Sequence, residues 1–261
     1  MARFTANFRS EVLGSLTHVE IIFPQASNKA EPAPIGGHAP TRVLYLLHGM
    51  YGGCVDWLEN TRIVHYAHQH GYIVVCPEVG NSFYTDMTYG PNYFTYVAHE
   101  LPALIEQTMN IKHTRENTFV AGLSMGGYGA MKIALSRPEF FTAVAAFSGA
   151  LDAEYAFAVL PQQSDLLKKM AVAIVGHDMQ VPPEGDLFKL AAQVATQTQK
   201  PRVLVTCGHE DFLIEGNRKF DAHMQGLPFD YQYKEWPGVH DWNFWEESLP
   251  LMFEFFGATE Q

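Results

Sequence analysis

Thr118-Phe119-Val120-Ala121-Gly122-Leu123-Ser124-Met125-Gly126-Gly127-Tyr128-Gly129-Ala130 runs from a β-prone stretch through Gly-x-Ser-x-Gly into a helix-prone one, which ends at Arg137-Pro138. A serine at such a strand-to-helix turn is forced into a sharp, strained backbone, and its hydroxyl stands clear at the carboxyl edge of a sheet. Gly122 and Gly126 leave the side-chain-free space that so tight a turn needs. The helix that follows points free N–H groups at any oxyanion formed beside Ser124. This pattern suits a serine nucleophile for acyl transfer. The five-residue motif also arises by composition alone, in roughly one such chain in twenty, so its flanks and partners must carry the reading.

Outward from this stretch the chain alternates. Strand-like runs fall at 42–47, 72–76, 118–121, 143–147, 202–207 and 230–235, with helical patterns at 56–70, 93–109, 126–136, 187–198, 214–225 and 243–256. Alternation of this kind predicts an α/β fold, a mostly parallel twisted sheet with helices on both faces. Right-handed crossovers put the loops that follow the strands on one common edge. The first thirty residues read as an antiparallel hairpin, 2–9 against 17–23, followed by a Pro/Gly-rich surface loop at 30–41. Pro102 lies inside a helical pattern and predicts a kink or a late start. The whole chain, 1–261, reads as one domain; the stretch 151–183 fits the alternation poorly and reads as a small cap over the sheet edge.

Length and composition agree with a single domain that buries a large core: 261 residues, 47% hydrophobic and 17% charged. A formal net charge of −11 argues against nucleic acid or an anionic membrane surface as partner. Three cysteines without a Cys-x-x-Cys pair argue against a disulfide framework and for a reducing compartment. The N-terminus lacks the apolar core of a signal peptide, and no run has the length of a membrane span, so a cytoplasmic location is expected.

A serine hydroxyl needs a histidine to take its proton, and the histidine needs an acid to fix its tautomer. Of twelve histidines, His240 lies just past the last strand in the loop Trp236-Pro237-Gly238-Val239-His240-Asp241-Trp242, and is the expected general base. Asp211, after the penultimate strand in Cys207-Gly208-His209-Glu210-Asp211, is the expected acid; Glu210 and Asp241 are its rivals. The oxyanion donors are expected to be the backbone N–H groups of Met125 and of Met50, the latter in the strand-to-turn segment Leu47-His48-Gly49-Met50-Tyr51-Gly52-Gly53. His48 reads as a prop for that loop. Tyr51, Tyr84 and Trp242 are candidate substrate contacts, Tyr84 as part of an aromatic loop at 81–91. His65 and His68 share one helix face with no acid or cysteine to complete a tetrahedral set, so neither a metal nor another cofactor is expected. The aromatic residues Phe244, Trp245, Phe253, Phe255 and Phe256 read as the core side of the last helix.

The segments 47–53, 122–129, 207–211 and 238–242, in this order and spacing, resemble the esterase D-like family of α/β-hydrolases, and within it the tributyrin esterases of Gram-positive bacteria. The resemblance runs from about residue 3 to 256. It implies a Ser124–Asp211–His240 triad, no metal, and a small short-chain acyl ester as the binding partner. S-formylglutathione hydrolases, feruloyl and acetylxylan esterases belong to the wider family; the first usually carry Ser-Gly-Leu where this chain has His48-Gly49-Met50. A catalytically silent hydrolase fold used for binding is the non-enzyme alternative, and assembly into a homo-oligomer stays open.

Overall fold

The apolar strand runs meet side by side in one eight-stranded sheet, seen in a computed structural model that describes residues 2–24 and 42–257. The surface loop expected at 30–41 lies outside the described residues. In chain order the strands are β1 (Ala2–Ser10), β2 (Ser15–Phe23), β3 (Arg42–Leu47), β4 (Tyr72–Pro77), β5 (Thr118–Leu123), β6 (Ala143–Phe147), β7 (Arg202–Gly208) and β8 (Tyr231–Trp236). The helices are α1 (Asp56–Asn60), α2 (Ile63–His70), α3 (Tyr93–Thr95), α4 (Leu101–Met109), α5 (Met125–Ser136), α6 (Ala153–Gln163), α7 (Asp165–Val175), α8 (Leu187–Ala195), α9 (Ile214–Met224) and α10 (Trp242–Gly257).

The sheet order is β1-β2-β4-β3-β5-β6-β7-β8. β1 and β2 form the expected hairpin, β2 joins β4 antiparallel, and every later pairing is parallel. The strands β4, β5 and β6 are buried along their whole length, as a sheet covered on both faces requires. β8 alternates between half-buried and exposed positions, which suits an edge strand. One apolar cluster covers one face of the sheet, with α5 and α8 in it; the other cluster carries α2 and α10. Nowhere among the described residues is a helix long and apolar enough to cross a membrane.

One helical expectation changes and another is met. The pattern at 56–70 is two helices, because the chain breaks at Thr61 and Arg62; Gly71 then closes α2 in the left-handed region at φ 73°. In the pattern at 93–109, α4 begins only at Leu101 with Pro102 in its first turn, the late start that the sequence predicts. A π turn spans Tyr96–Glu100, and the Leu101 N–H reaches back to the Tyr96 carbonyl. Proline has no N–H for the carbonyl of Ala98, four residues earlier, and the Arg137 guanidinium donates to that oxygen instead. The stretch 151–183 is helical as α6 and α7, which follow directly from the edge where β6 ends.

Candidate active site

β5 enters the Gly-x-Ser-x-Gly turn and α5 leaves it. Ser124 sits at φ 54°, ψ −119°, a backbone conformation that costs on the order of 1–3 kcal/mol. Its surroundings hold it there: the Ser124 N–H donates to the Phe147 carbonyl at 2.9 Å, and the Ser124 carbonyl accepts from Tyr128 and Ala150, both at 3.1 Å. A Cβ on Gly126 would lie 2.5 Å from the carbonyl oxygens of Leu47 and His48, and one on Gly122 only 2.3 Å from the Gly126 oxygen. Both contacts are with backbone, so the two glycines of the motif are required by close approach.

The loops after β7 and β8 are zipped together by main-chain bonds, His209 N–H to Trp236 O at 2.9 Å and Glu210 N–H to Gly238 O at 3.0 Å. This pairing carries Asp211 and His240 to Ser124. His240 Nε2 lies 3.0 Å from Ser124 Oγ, and His240 Nδ1 lies 2.8 Å from Asp211 Oδ2. Asp211 is buried, and its Oδ1 accepts the Leu213 N–H at 2.8 Å. A carboxylate can only accept from the imidazole, so Nδ1 carries the proton and Nε2 presents its lone pair to the serine hydroxyl. Glu210 is occupied elsewhere, accepting the Gly238 N–H at 2.7 Å, and Asp241 caps α10 by accepting the Phe244 N–H at 3.0 Å. The two rivals for the acid are thereby structural residues.

The segment 48–53 lies against Ser124: a Cβ on Gly49 would be 3.5 Å from Ser124 Cβ. His48 Nε2 accepts the Val79 N–H at 3.3 Å, which leaves Nδ1 as the donor to the Gly49 carbonyl at 2.8 Å. That carbonyl also accepts the Gly52 N–H at 3.3 Å. Gly49 C=O and Met50 N–H belong to one planar peptide, so fixing the carbonyl on one side aims the N–H to the other. Met125 is the first residue of α5, where an N–H has no acceptor within the helix. Gly49, Met50, Ser124, Met125 and His240 all line the same cavity of about 610 Å³.

The cavity corrects the expected substrate contacts. Tyr51 and Trp242 line it. Tyr84 does not: it is fully buried beneath the site, where its hydroxyl donates to the His48 carbonyl at 2.9 Å. From the loop at 81–91 only Phe83 reaches the wall. The rest comes from α6 and α7, through Val159, Leu160 and Leu167, and from Phe212 and Trp245. Sequence reasoning assigned Trp245 to the core; it is buried and lines the cavity as well. Its position three residues after Trp242, on one helix face beside the catalytic loop, was the available signal. His65 and His68 are exposed on α2, and no group of three or more metal-ligating side chains occurs among the described residues.

The chain resembles known proteins along nearly its whole length. The family described as putative esterase matches residues 10–256. An acetyl esterase of Caldicellulosiruptor saccharolyticus is 30% identical over 267 residues, covering 98% of each chain. Among solved structures, a substrate-bound fluorophosphonate-binding serine hydrolase of Staphylococcus aureus superposes with a TM-score of 0.87 at 27% identity, covering 99% of both chains. An S-formylglutathione hydrolase of the same organism gives 0.83 at 27% identity, over 98% of this chain and 99% of that one. The chain therefore belongs to the esterase family, the esterase D-like serine esterases of α/β-hydrolase fold.

Proposed function

We propose that this esterase hydrolyses short-chain acyl esters of small alcohols, with Ser124 as nucleophile, His240 as general base and Asp211 as the acid that orients it. The observation that carries the reading is the unbroken chain Asp211–His240–Ser124, at 2.8 and 3.0 Å, ending in the cavity. His240 Nε2 takes the hydroxyl proton as Ser124 Oγ bonds to the acyl carbon. The Met50 and Met125 N–H groups receive the negative charge that develops on the carbonyl oxygen. Collapse breaks the bond to the alcohol, whose oxygen takes the proton from His240. Water then attacks the acyl-serine by the same route and releases the acid.

The short acyl preference rests on the walls. Bulky side chains of α6, α7 and Phe83 line the cavity, and each further CH₂ contributes about 0.8 kcal/mol only while space lasts. A scan of p-nitrophenyl esters should peak between acetyl and butyryl and fall beyond about six carbons. A maximum at octanoyl or longer would overturn the acyl assignment. Labelling by a fluorophosphonate, lost in Ser124→Ala, tests the activated serine independently and separates an enzyme from a silent fold. The thioester S-formylglutathione is a second reading, supported by the staphylococcal neighbour, and belongs in the same scan. The three cysteines are free and buried, which supports a reducing, cytoplasmic setting.

A further inference from the structure

The end of β6 and the loop after β7 hold opposite ends of the triad. On the β6 side, the Phe147 carbonyl accepts the Ser124 N–H at 2.9 Å, and the Ala150 N–H donates to the Ser124 carbonyl at 3.1 Å. On the β7 side, the Leu213 N–H donates to Asp211 Oδ1 at 2.8 Å. One side chain joins the two. Asn217, in the first turn of α9, donates from Nδ2 to the Gly149 carbonyl and to the Leu213 carbonyl, each at 2.9 Å.

Each bond lies one step from a triad residue. Gly149 C=O and Ala150 N–H belong to one planar peptide, so the amide that holds the carbonyl also aims the N–H at the Ser124 oxygen. Leu213 gives its N–H to Asp211 and its carbonyl to Asn217. Two carbonyls need two donors, and Nδ2 has two hydrogens, which settles the orientation of the amide. Oδ1 is left buried without a partner, a cost that a leucine of similar size would avoid. Helix capping does not require the side chain, since the Leu213 carbonyl already accepts the Asn217 main-chain N–H at 3.1 Å.

We propose that Asn217 is a positioning residue for the hydrolytic reaction: it fixes the Asp211 carboxylate, and through it the His240 ring, relative to Ser124. This inference rests on the serine esterase reading above. Asn217 is fully buried and is not among the residues that line the cavity, so it acts through Asp211 and not on the substrate. Without its two bonds, the loop that carries the acid is no longer tied by this side chain to the strand end that holds the nucleophile. A displacement of about 1 Å between reacting groups is enough to cost roughly 10²-fold in rate.

A double-mutant cycle with p-nitrophenyl acetate separates positioning from mere support of the fold. Asn217→Leu removes both donors in a side chain of similar size. It should lower kcat on the order of 10–100-fold and leave KM within about twofold. In the Asp211→Asn background the same substitution should cost less than about threefold, because the carboxylate that Asn217 positions is already gone. Urea unfolding gives the folded fraction of each variant, and kcat is referred to it. An equal loss in both backgrounds, or an unchanged kcat in Asn217→Leu, overturns the proposal. If Asn217→Leu does not fold, Asn217→Ser, which keeps one donor, carries the same cycle. Its loss of roughly 3–10-fold should likewise shrink beside Asp211→Asn, and an equal loss in both backgrounds overturns the proposal. Ser124→Ala distinguishes the two levels: if it retains turnover, the esterase reading fails and this inference with it. If it is inactive and the cycle is additive, only this inference fails.

Discussion

The sheet edge and the helix pair α6 and α7, proposed as a cap over it, are held by different balances of main-chain and side-chain bonds. Ser124, Asp211 and His240 sit on loops tied to one another through main-chain groups, among them Ser124 to Phe147, Ser148 to Thr206 at 2.7 Å, and Glu210 to Gly238. The cap, α6 and α7, meets the body by main-chain bonds at its far end, where Thr88 and Tyr89 donate to the Ile174 and Ala173 carbonyls at 3.0 and 2.9 Å. At the start of α6 it relies on side chains, such as the Lys219–Asp152 pair at 2.6 Å, and it leaves Tyr155 and Leu166 exposed. Backbone bonds are indifferent to side-chain identity, so on the proposed reading the edge fixes the chemistry while the cap is free to set what enters.

Substitution at the edge should therefore remove chemistry without removing the fold. Ser124→Ala and His240→Ala are each expected to lower kcat by about 10⁴-fold or more, with the double variant little worse than either. Circular dichroism should stay unchanged. Residual turnover above a few per cent of wild type would break the assignment of Ser124.

Asp211→Asn should cost somewhat less, on the order of 10²–10⁴-fold, by stabilising the wrong imidazole tautomer. Glu210→Gln and Asp241→Asn lose only a loop contact and a helix cap, and should cost far less in kcat. If either proved worse than Asp211→Asn, the ranking of the three acids would be wrong.

The body beneath the edge also carries a buried charge. Lys132 on α5 is buried with its Nζ 3.3 Å from Thr85 Oγ1 and 4.9 Å above the Phe94 ring, and burial pushes its ammonium down to about 8. Between that value and the ordinary lysine value of 10.5 the unfolded chain binds more protons than the folded one, so stability rises with pH across this window. Below pH 8 the buried charge is a constant penalty. Lys132→Met should accordingly exceed wild type in stability at pH 7, with the gap closing by on the order of 2 kcal/mol toward pH 10. Urea unfolding at several pH values measures this; a gap independent of pH would refute the buried-charge account.

The smallest effect is expected in the cap. Leu160→Trp should fill part of the cavity and lower kcat/KM for hexanoyl esters roughly fivefold more than for acetyl esters. A proportional loss on both would mean that the cap shapes the chemistry too, and the contrast with the edge would dissolve.

The sequence alone determined the parts whose causes are local. Alternating apolar and amphipathic runs specify a parallel sheet flanked by helices, because burial on both faces demands continuous apolar strands. The Gly-x-Ser-x-Gly turn is legible because only glycine tolerates backbone at 2.3–2.5 Å from a Cβ site. Asp211 and His240 are legible because each lies in the loop following a strand, and parallel connections gather such loops on one edge. What depends on contacts distant in sequence was decided by the tertiary structure. Tyr84 reads as a wall residue until His48 takes its hydroxyl from 36 positions away. Pro102 predicts a kink or a late start from the sequence, but only the fold brings Arg137 to the carbonyl that proline leaves without a donor. Trp245 reads as core until the first turn of α10 sets it beside the His240 ring, with its N–H unpaired. Burial and polar satisfaction belong to the assembled chain, since each is fixed by what arrives from elsewhere to cover or pair a group.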